Sequence, residues 1–441
     1  MRKRKVTGLV IGLAAVLLIM IIVSFVPVTA APPLKQLPLK KEVIKIGGQG
    51  IFSGPNAICG RSMMEGARLA IEEINAKGGI LGSKIGFKYM DCELKPAVGI
   101  KNARYLVGEW GADFLIGHDS SGVLMAVGGV MPELKKILIG THAATANYNE
   151  RLVYREKNKY CFRTASPTYQ DATIFAKVFA KKFPEVKRWA SINCDYEFGY
   201  VNLALFKRAM KELIPDVEFV AETWAPFWTM DFTPQISAVM AAKPQGIYTS
   251  PWGGEGVQLA RQALIMGVFE DPNVKLYINC TGETSDFLMG MSNEIAKDKF
   301  HGKLWVTGRY VLTQNDLPIN KHFVKTYAEK YAMYPFHCTE GAYSAIYLIK
   351  KVLEKSRTLD TETVIKAMEG MKWDTPSGEK WIRPEDHQAV YPVPIGRPVM
   401  DPDYPLMPVV KDLHWVPVKE YYRWPPFEPS IDEIVKAELK R

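Results

Sequence analysis

Three stretches of this 441-residue chain carry side chains whose types and spacing could do chemistry. Gly48-Gln-Gly50-Ile-Phe-Ser-Gly54 follows an apolar run and approximates a dinucleotide-binding glycine loop, with Asp91 closing the next run. Its third glycine is one position late, Pro55 follows it, and the acid lies about forty residues on instead of about twenty. No nicotinamide or other cofactor is expected. His118-Asp-Ser-Ser121-Gly122 suggests a nucleophile elbow, but His118 stands where Gly-x-Ser-x-Gly needs its first glycine. Asp195-Tyr-Glu197 and Glu283 could act as paired carboxylates, although sequence sets no distance between them.

A binding role uses the same residues more simply. In open α/β sheets, ligands sit beyond the carboxyl ends of strands, where helix N-termini expose N–H groups and a favourable dipole end. Ser53-Gly-Pro-Asn56, Ser120-Ser-Gly122 and Thr141-His-Ala-Ala-Thr145 each fall at such a point. Together they would offer hydroxyls and amides to an anion, most simply a carboxylate. Helix capping by Ser and Thr is the purely structural alternative.

The elements that must position these residues read as α/β. From Val43, short apolar runs alternate with amphipathic stretches, the pattern of parallel strands joined by crossover helices. Strands are expected at 43–46, 85–90, 114–117 and 137–140, with a helix over 61–77 that buries Met63, Ala67, Ala70, Ile71 and Ile74 and stops at Gly78-Gly79. The alternation restarts after Pro167, so two α/β units in series are expected. Long helices are predicted near 319–332 and 340–356. From Trp373 onward proline becomes frequent, and this tail is expected to lie across a lobe surface, because proline removes the donors a central strand needs.

Composition narrows the function. Residues 1–30 read as a signal peptide: Arg2 to Lys5, an apolar run from Val6 to Val26, then Val28-Thr-Ala30. An uncleaved N-terminal anchor is the alternative, since the run approaches bilayer length. Four of the nine net positive charges sit in this leader, leaving a mild +5 without Lys/Arg blocks, so nucleic acid is not an expected partner. The six cysteines show no CxxC or Cys/His spacing, so no metal is expected, and Cys59 with Cys92 is the disulfide pairing to test first.

Ser53-Gly-Pro55, Gly60, Gly66-Ala67, Glu72-Glu-Ile-Asn-Ala-Lys-Gly-Gly-Ile-Leu-Gly82, Ile116-Gly-His-Asp-Ser-Ser121 and Ala143-Ala-Thr145 closely resemble the type I periplasmic solute-binding proteins of branched-chain amino-acid ABC importers. The likeness is strongest over 43–170 and looser beyond. It implies two Rossmann-like lobes with parallel sheets joined by a three-crossover hinge, 42–165 plus 310–378 forming one lobe and 166–309 plus 379–441 the other. It implies an exported, periplasmic or extracellular monomer that binds a small molecule between the lobes and delivers it to a membrane ABC permease with a cytoplasmic ATPase. Carried over by position, Ser121, Thr145 and the Ala143 backbone would hold the ligand's carboxylate, beside Ser53, Ser120 and Ala144. Phe198 and Trp252 would cover it from the second lobe. Thr281 stands where relatives place the glutamate that holds an α-ammonium, with Glu283 two residues later, so an aromatic or aliphatic acid or amide suits the site as well as an amino acid. Ser120 replaces a family cysteine that pairs with the counterpart of Cys92. A membrane-anchored sensor of the same fold, or an exported hydrolase using Ser120 or Ser121, are the competing functions.

Overall fold

A computed structural model of the chain describes Leu39 and residues 41–54 and 56–439. The leader expected over 1–30 lies outside the described residues, and no described helix is long and apolar enough to cross a membrane.

The apolar runs become strands of two mainly parallel sheets. The first takes the order β2 (Lys84–Asp91), β1 (Val43–Gly50), β3 (Phe114–Gly117), β4 (Ile137–Gly140), β5 (Cys161–Arg163), all neighbours parallel. β3 and β4 are buried throughout, as continuous apolar tetrapeptides covered on both faces must be. The expected helix over 61–77 runs from Ala57 to Ala76, and its buried residues include all five named for its inner face. The second sheet contains β6 (Arg188–Cys194), β7 (Glu218–Ala225), β8 (Gly246–Thr249), β9 (Leu276–Asn279) and β10 (Leu304–Thr307), in the order β10-β9-β8-β6-β7. The expected helices near 319–332 and 340–356 occupy Pro318–Tyr331 and His337–Ser356.

The proline-rich tail departs from expectation. β11 (Lys372–Thr375), β12 (Gly378–Ile382) and β13 (Ala389–Val390) form a small antiparallel sheet, and Gln388 bridges to Arg163 beside β5. β14 (Pro394–Val399) then pairs antiparallel with β10, and β15 (Val409–Trp415) adds the edge of the second sheet. The tail therefore extends the sheet instead of lying over it. This is permitted because Ile395 and Gly396 make the ladder to β10, while Pro394 and Pro398 stand on either side of them. The chain crosses between sheets after β5, after β10 and between Val390 and Pro394, the last later than residue 378.

All six cysteines are buried free thiols. Cys59 does not pair with Cys92; its thiol faces that of Cys338, because helix Ala57–Ala76 packs along helix His337–Ser356. The latter helix also presses on the loop after β4. A Cβ at Gly341 would lie 2.1 Å from the Thr141 carbonyl oxygen, a backbone atom that cannot rotate away. Gly341→Ala is expected to destabilise the fold by about 1–3 kcal/mol. A matched drop in urea midpoint and in solute affinity would check it, since Thr141 begins the segment that carries His142 to Thr145.

Candidate functional site

Both sheets present the loops after their strands to one narrow space. From the first sheet come Cys59, Asp119, Ser121, His142, Ala143 and Ala144; from the second come Tyr196, Phe198, Trp252, Thr281, Thr284 and Arg309; His337 completes the wall from the start of its helix. The volume between them is about 20 Å³, room for a water but not for a solute of amino-acid size. A solute can enter only when the two sides part.

Each side chain has a local reason for its place. β3 ends at Gly117, and helix Ser121–Leu134 starts four residues later, with Ser120 extended as its N-cap and Ser121 in its first turn. The Asp119 carboxylate accepts from the Ile51 N–H at 2.7 Å, which ties the loop after β1 to the loop after β3. Asp119 Oδ1 lies 3.5 Å from His142 Nδ1. Burial raises the Asp119 carboxyl above its usual range, and holds His118 neutral by lowering it to about 3. On the other side, Trp252 Nε1 donates to the Tyr196 hydroxyl at 2.7 Å, and Tyr196 stacks on Phe198 with ring centroids 6.2 Å apart. His142 meets Trp252 edge-on at 6.1 Å and His337 at 4.9 Å, so rings from both sheets already touch.

Charge enters from Arg309, whose Nε lies 3.1 Å from Asp171 Oδ2 and whose guanidinium stands 5.6 Å from the Phe198 ring centroid. Burial lifts Asp171 to about 6 even against that cation. Glu283 is lifted to about 7, again chiefly by burial, with Arg309 opposing, and its Oε1 lies 2.9 Å from His337 Nδ1.

The sequence-derived residues divide. Ser121, Ala143, Ala144, Phe198, Trp252 and Thr281 line the space. Ser53 is exposed on its loop, Ser120 is half-buried at the cap, and Glu283 sits behind Thr281 with its carboxylate on the Thr307 hydroxyl. The Ala143 N–H is engaged, donating to the His118 carbonyl at 2.9 Å. Thr145 donates its hydroxyl to Glu197, and the nearby Ser121 hydroxyl helps to lower that carboxyl against burial. The protein's own carboxylate thus occupies one of the hydroxyls expected to hold a solute's. Cys59, Asp119, His142, Tyr196, Thr284, Arg309 and His337 also line the space without having been expected as site residues, because only the packing of distant segments brings them here; the Tyr196 ring beside Phe198 is a local signal.

Glu255, buried in the first turn of helix Gly254–Ile265, gives stability a measurable pH dependence. Burial raises its carboxyl to about 7, against hydrogen bonds from the Trp228 and Thr229 N–H groups and the Asn56 side chain. The folded protein therefore holds a proton that the unfolded chain, near the ordinary 4.5, has lost. Stability from this group is fully present below about pH 4.5 and is lost as pH rises to about 7. Glu255→Gln is expected to remove as much as about 1.4 kcal/mol per pH unit of that slope, read from urea midpoints across the window.

Known proteins give the arrangement its context. The Leu/Ile/Val-binding protein BraC3 of Rhizobium johnstonii is 30% identical over 225 residues, 51% of this chain and 59% of that protein, so the chain spans less than two thirds of that relative. The Leu/Ile/Val-binding protein homolog 6 of Brucella melitensis is 26% identical over 351 residues, 78% of this chain and 84% of the relative. Among solved structures, an ABC-transporter solute-binding protein from Rhodopseudomonas palustris in complex with 3,4-dihydroxybenzoic acid matches with a TM-score of 0.75 at 23% identity, covering 85% of this chain and 97% of its own. An ABC-type branched-chain amino acid transporter protein from the same species matches with a TM-score of 0.68 at 25% identity, covering 86% and 98%. Residues 43–401 fit the sequence profile of the periplasmic binding proteins, a span that begins with β1 and ends just past β14. With two mainly parallel-sheet lobes facing each other across a cleft at their strand ends, the chain belongs to the periplasmic binding protein family.

Proposed function

We propose that this chain is exported by its N-terminal leader, captures a small carboxylated solute between lobes, and delivers it as a monomer to a membrane ABC permease without catalysis. Lobe one would comprise 42–165 with 310–390, and lobe two 166–309 with the chain from β14 onward. The observation that carries this reading is that one narrow space is walled jointly by loops after β3 and β4 and by loops after β6, β8, β9 and β10. Closing such a space around a solute excludes water, which strengthens every charge-assisted bond inside.

The Ser121 hydroxyl and the Arg309 guanidinium, anchored by Asp171, are the donors suited to a carboxylate there. Tyr196, Phe198 and Trp252 supply flat apolar area for the rest of the molecule. Thr281 on the wall, with Glu283 turned to Thr307 and His337, favours a solute lacking an α-ammonium. The hydroxybenzoates named for two of the structural neighbours are acids of that description.

Thermal melting with leucine, benzoate, 4-hydroxybenzoate, 3,4-dihydroxybenzoate and the matching neutral amides tests this. An aromatic acid should raise the midpoint by mass action while its amide does not. Ser121→Ala should cut the affinity about tenfold, the worth of one charge-assisted hydrogen bond. Equal binding of acid and amide, or undiminished binding by folded Ser121→Ala, would sink the carboxylate assignment.

A further inference from the structure

The wall of the cleft contains a cluster that solute capture does not explain. The donor atoms of Cys59, Cys338 and His142 all lie within 4.8 Å of one another, and all three residues are buried. They come from three separate segments: helix Ala57–Ala76, the first turn of helix His337–Ser356, and the loop after β4. Close backbone contacts hold those segments together. A Cβ at Gly66 would lie 2.2 Å from the Thr339 carbonyl oxygen, and Gly341 meets Thr141 in the same way. His142 is only 6% exposed, and its Nδ1 faces the equally buried Asp119 carboxylate at 3.5 Å.

We propose that Cys59, Cys338 and His142 form a binding site for a thiophilic d¹⁰ cation such as Zn²⁺. Zinc bonds of about 2.0–2.3 Å place tetrahedral ligand pairs about 3.5–3.8 Å apart, so these donors need to draw in by roughly an ångström or less. Binding exchanges two S–H bonds for two metal–thiolate bonds, and both protons leave to solvent. The two thiolates neutralise the dication, so the buried site needs no further counter-ion. Asp119, 3.5 Å from the His142 ring, is placed to orient the imidazole as a carboxylate beside a metal-bound histidine does. Three protein ligands leave a fourth position, and because Cys59 and His142 both line the cleft, it faces the cleft. If the solute reading above holds, an oxygen of the solute can take that position; the cation site itself does not depend on it.

The test uses the full chain, reduced and without solute, so its outcome is independent of solute binding. Zn²⁺ titrated against a chromophoric chelator should bind one to one. Co²⁺ in its place should give a thiolate-to-metal charge-transfer band. Zn²⁺ should protect Cys59 and Cys338, located by mass spectrometry, from alkylation during partial opening. Cys59→Ser and His142→Ala should each weaken binding at least about a hundredfold, while Cys280→Ser, a buried thiol outside the cluster, leaves it unchanged. Protection in the unaltered protein keeps the test decisive should a variant fail to fold. Absence of stoichiometric uptake by the reduced, folded chain, a Co²⁺ spectrum without thiolate bands, or equal alkylation with and without zinc overturns the proposal. A Cys59–Cys338 disulfide in the isolated protein overturns it too when the reduced form then takes up no metal.

Discussion

Arg309→Ala should destabilise the protein by about 3–5 kcal/mol, the cost of leaving one buried charge without its partner. Arg309 and Asp171 are 3% and 1% exposed, and the guanidinium reaches the carboxylate through both Nε and Nη2. Burial already lifts Asp171 to about 6, so removing the cation that restrains it must lift it further. The sign follows from which state holds the proton. A folded-state carboxyl raised above its unfolded value is protonated in the fold and ionised in the chain, so stability falls as pH rises between the two. The variant should therefore be most nearly rescued in acid and lose stability steeply toward neutrality. Asp171→Asn combined with Arg309→Met should recover most of the loss, because two neutral groups of similar volume leave no orphaned charge. Urea midpoints of the three variants across pH decide it; a double variant no better than Arg309→Ala would show that packing, not charge, dominates.

Glu197→Gln should tighten binding of a carboxylated solute about tenfold to a hundredfold. The Glu197 carboxylate takes the Thr145 hydroxyl, three residues after His142 in the loop after β4, with the Ser121 hydroxyl nearby. A solute carboxylate must displace it, and two carboxylates in one desolvated space repel. Burial raises Glu197 above the ordinary carboxylate range, with those two hydroxyls opposing. Protonation on acidification removes the competing charge, so the unaltered protein should bind an acid more tightly as pH falls, and Glu197→Gln should flatten that dependence. One charge-assisted hydrogen bond regained, that of the Thr145 hydroxyl, is worth about 1.5–3 kcal/mol, which sets the expected range. Titration calorimetry on both proteins measures it. Weaker binding by Glu197→Gln would instead mean that the carboxylate grips a cationic part of the solute, and an amino acid would become the better candidate.

Much of the scaffold was legible because local pattern and global fold agree. Four apolar residues in a row at Phe114–Gly117 and Ile137–Gly140 can be satisfied only by burial on both faces. The inner face of helix Ala57–Ala76 follows from its 3.6-residue period. The rim residues Ser121, Ala143 and Ala144 were legible for a related reason: strand ends followed by helix starts must project to one edge of a parallel sheet. The tail was misread because prolines count against a strand only at positions that must donate, and register decides which positions those are. The Cys59–Cys92 pairing failed similarly. Strand order suggested shared loops, whereas helix packing turns Cys59 toward Cys338.

By itself, the sequence determined the class, the alternation of strands and helices, the edge at which the strand-end loops gather and the family to which the chain belongs. These properties depend on periodicities of two and 3.6 residues and on short motifs, all of which are local. Only the tertiary structure decided which groups face the cleft together: Arg309 on Asp171, Glu197 on Thr145, and Cys59 with Cys338 and His142. Such partners lie far apart along the chain, and their meeting depends on how helices cross and sheets stack. Packing energy there is summed over many residues, so no spacing of the few that do the chemistry records it.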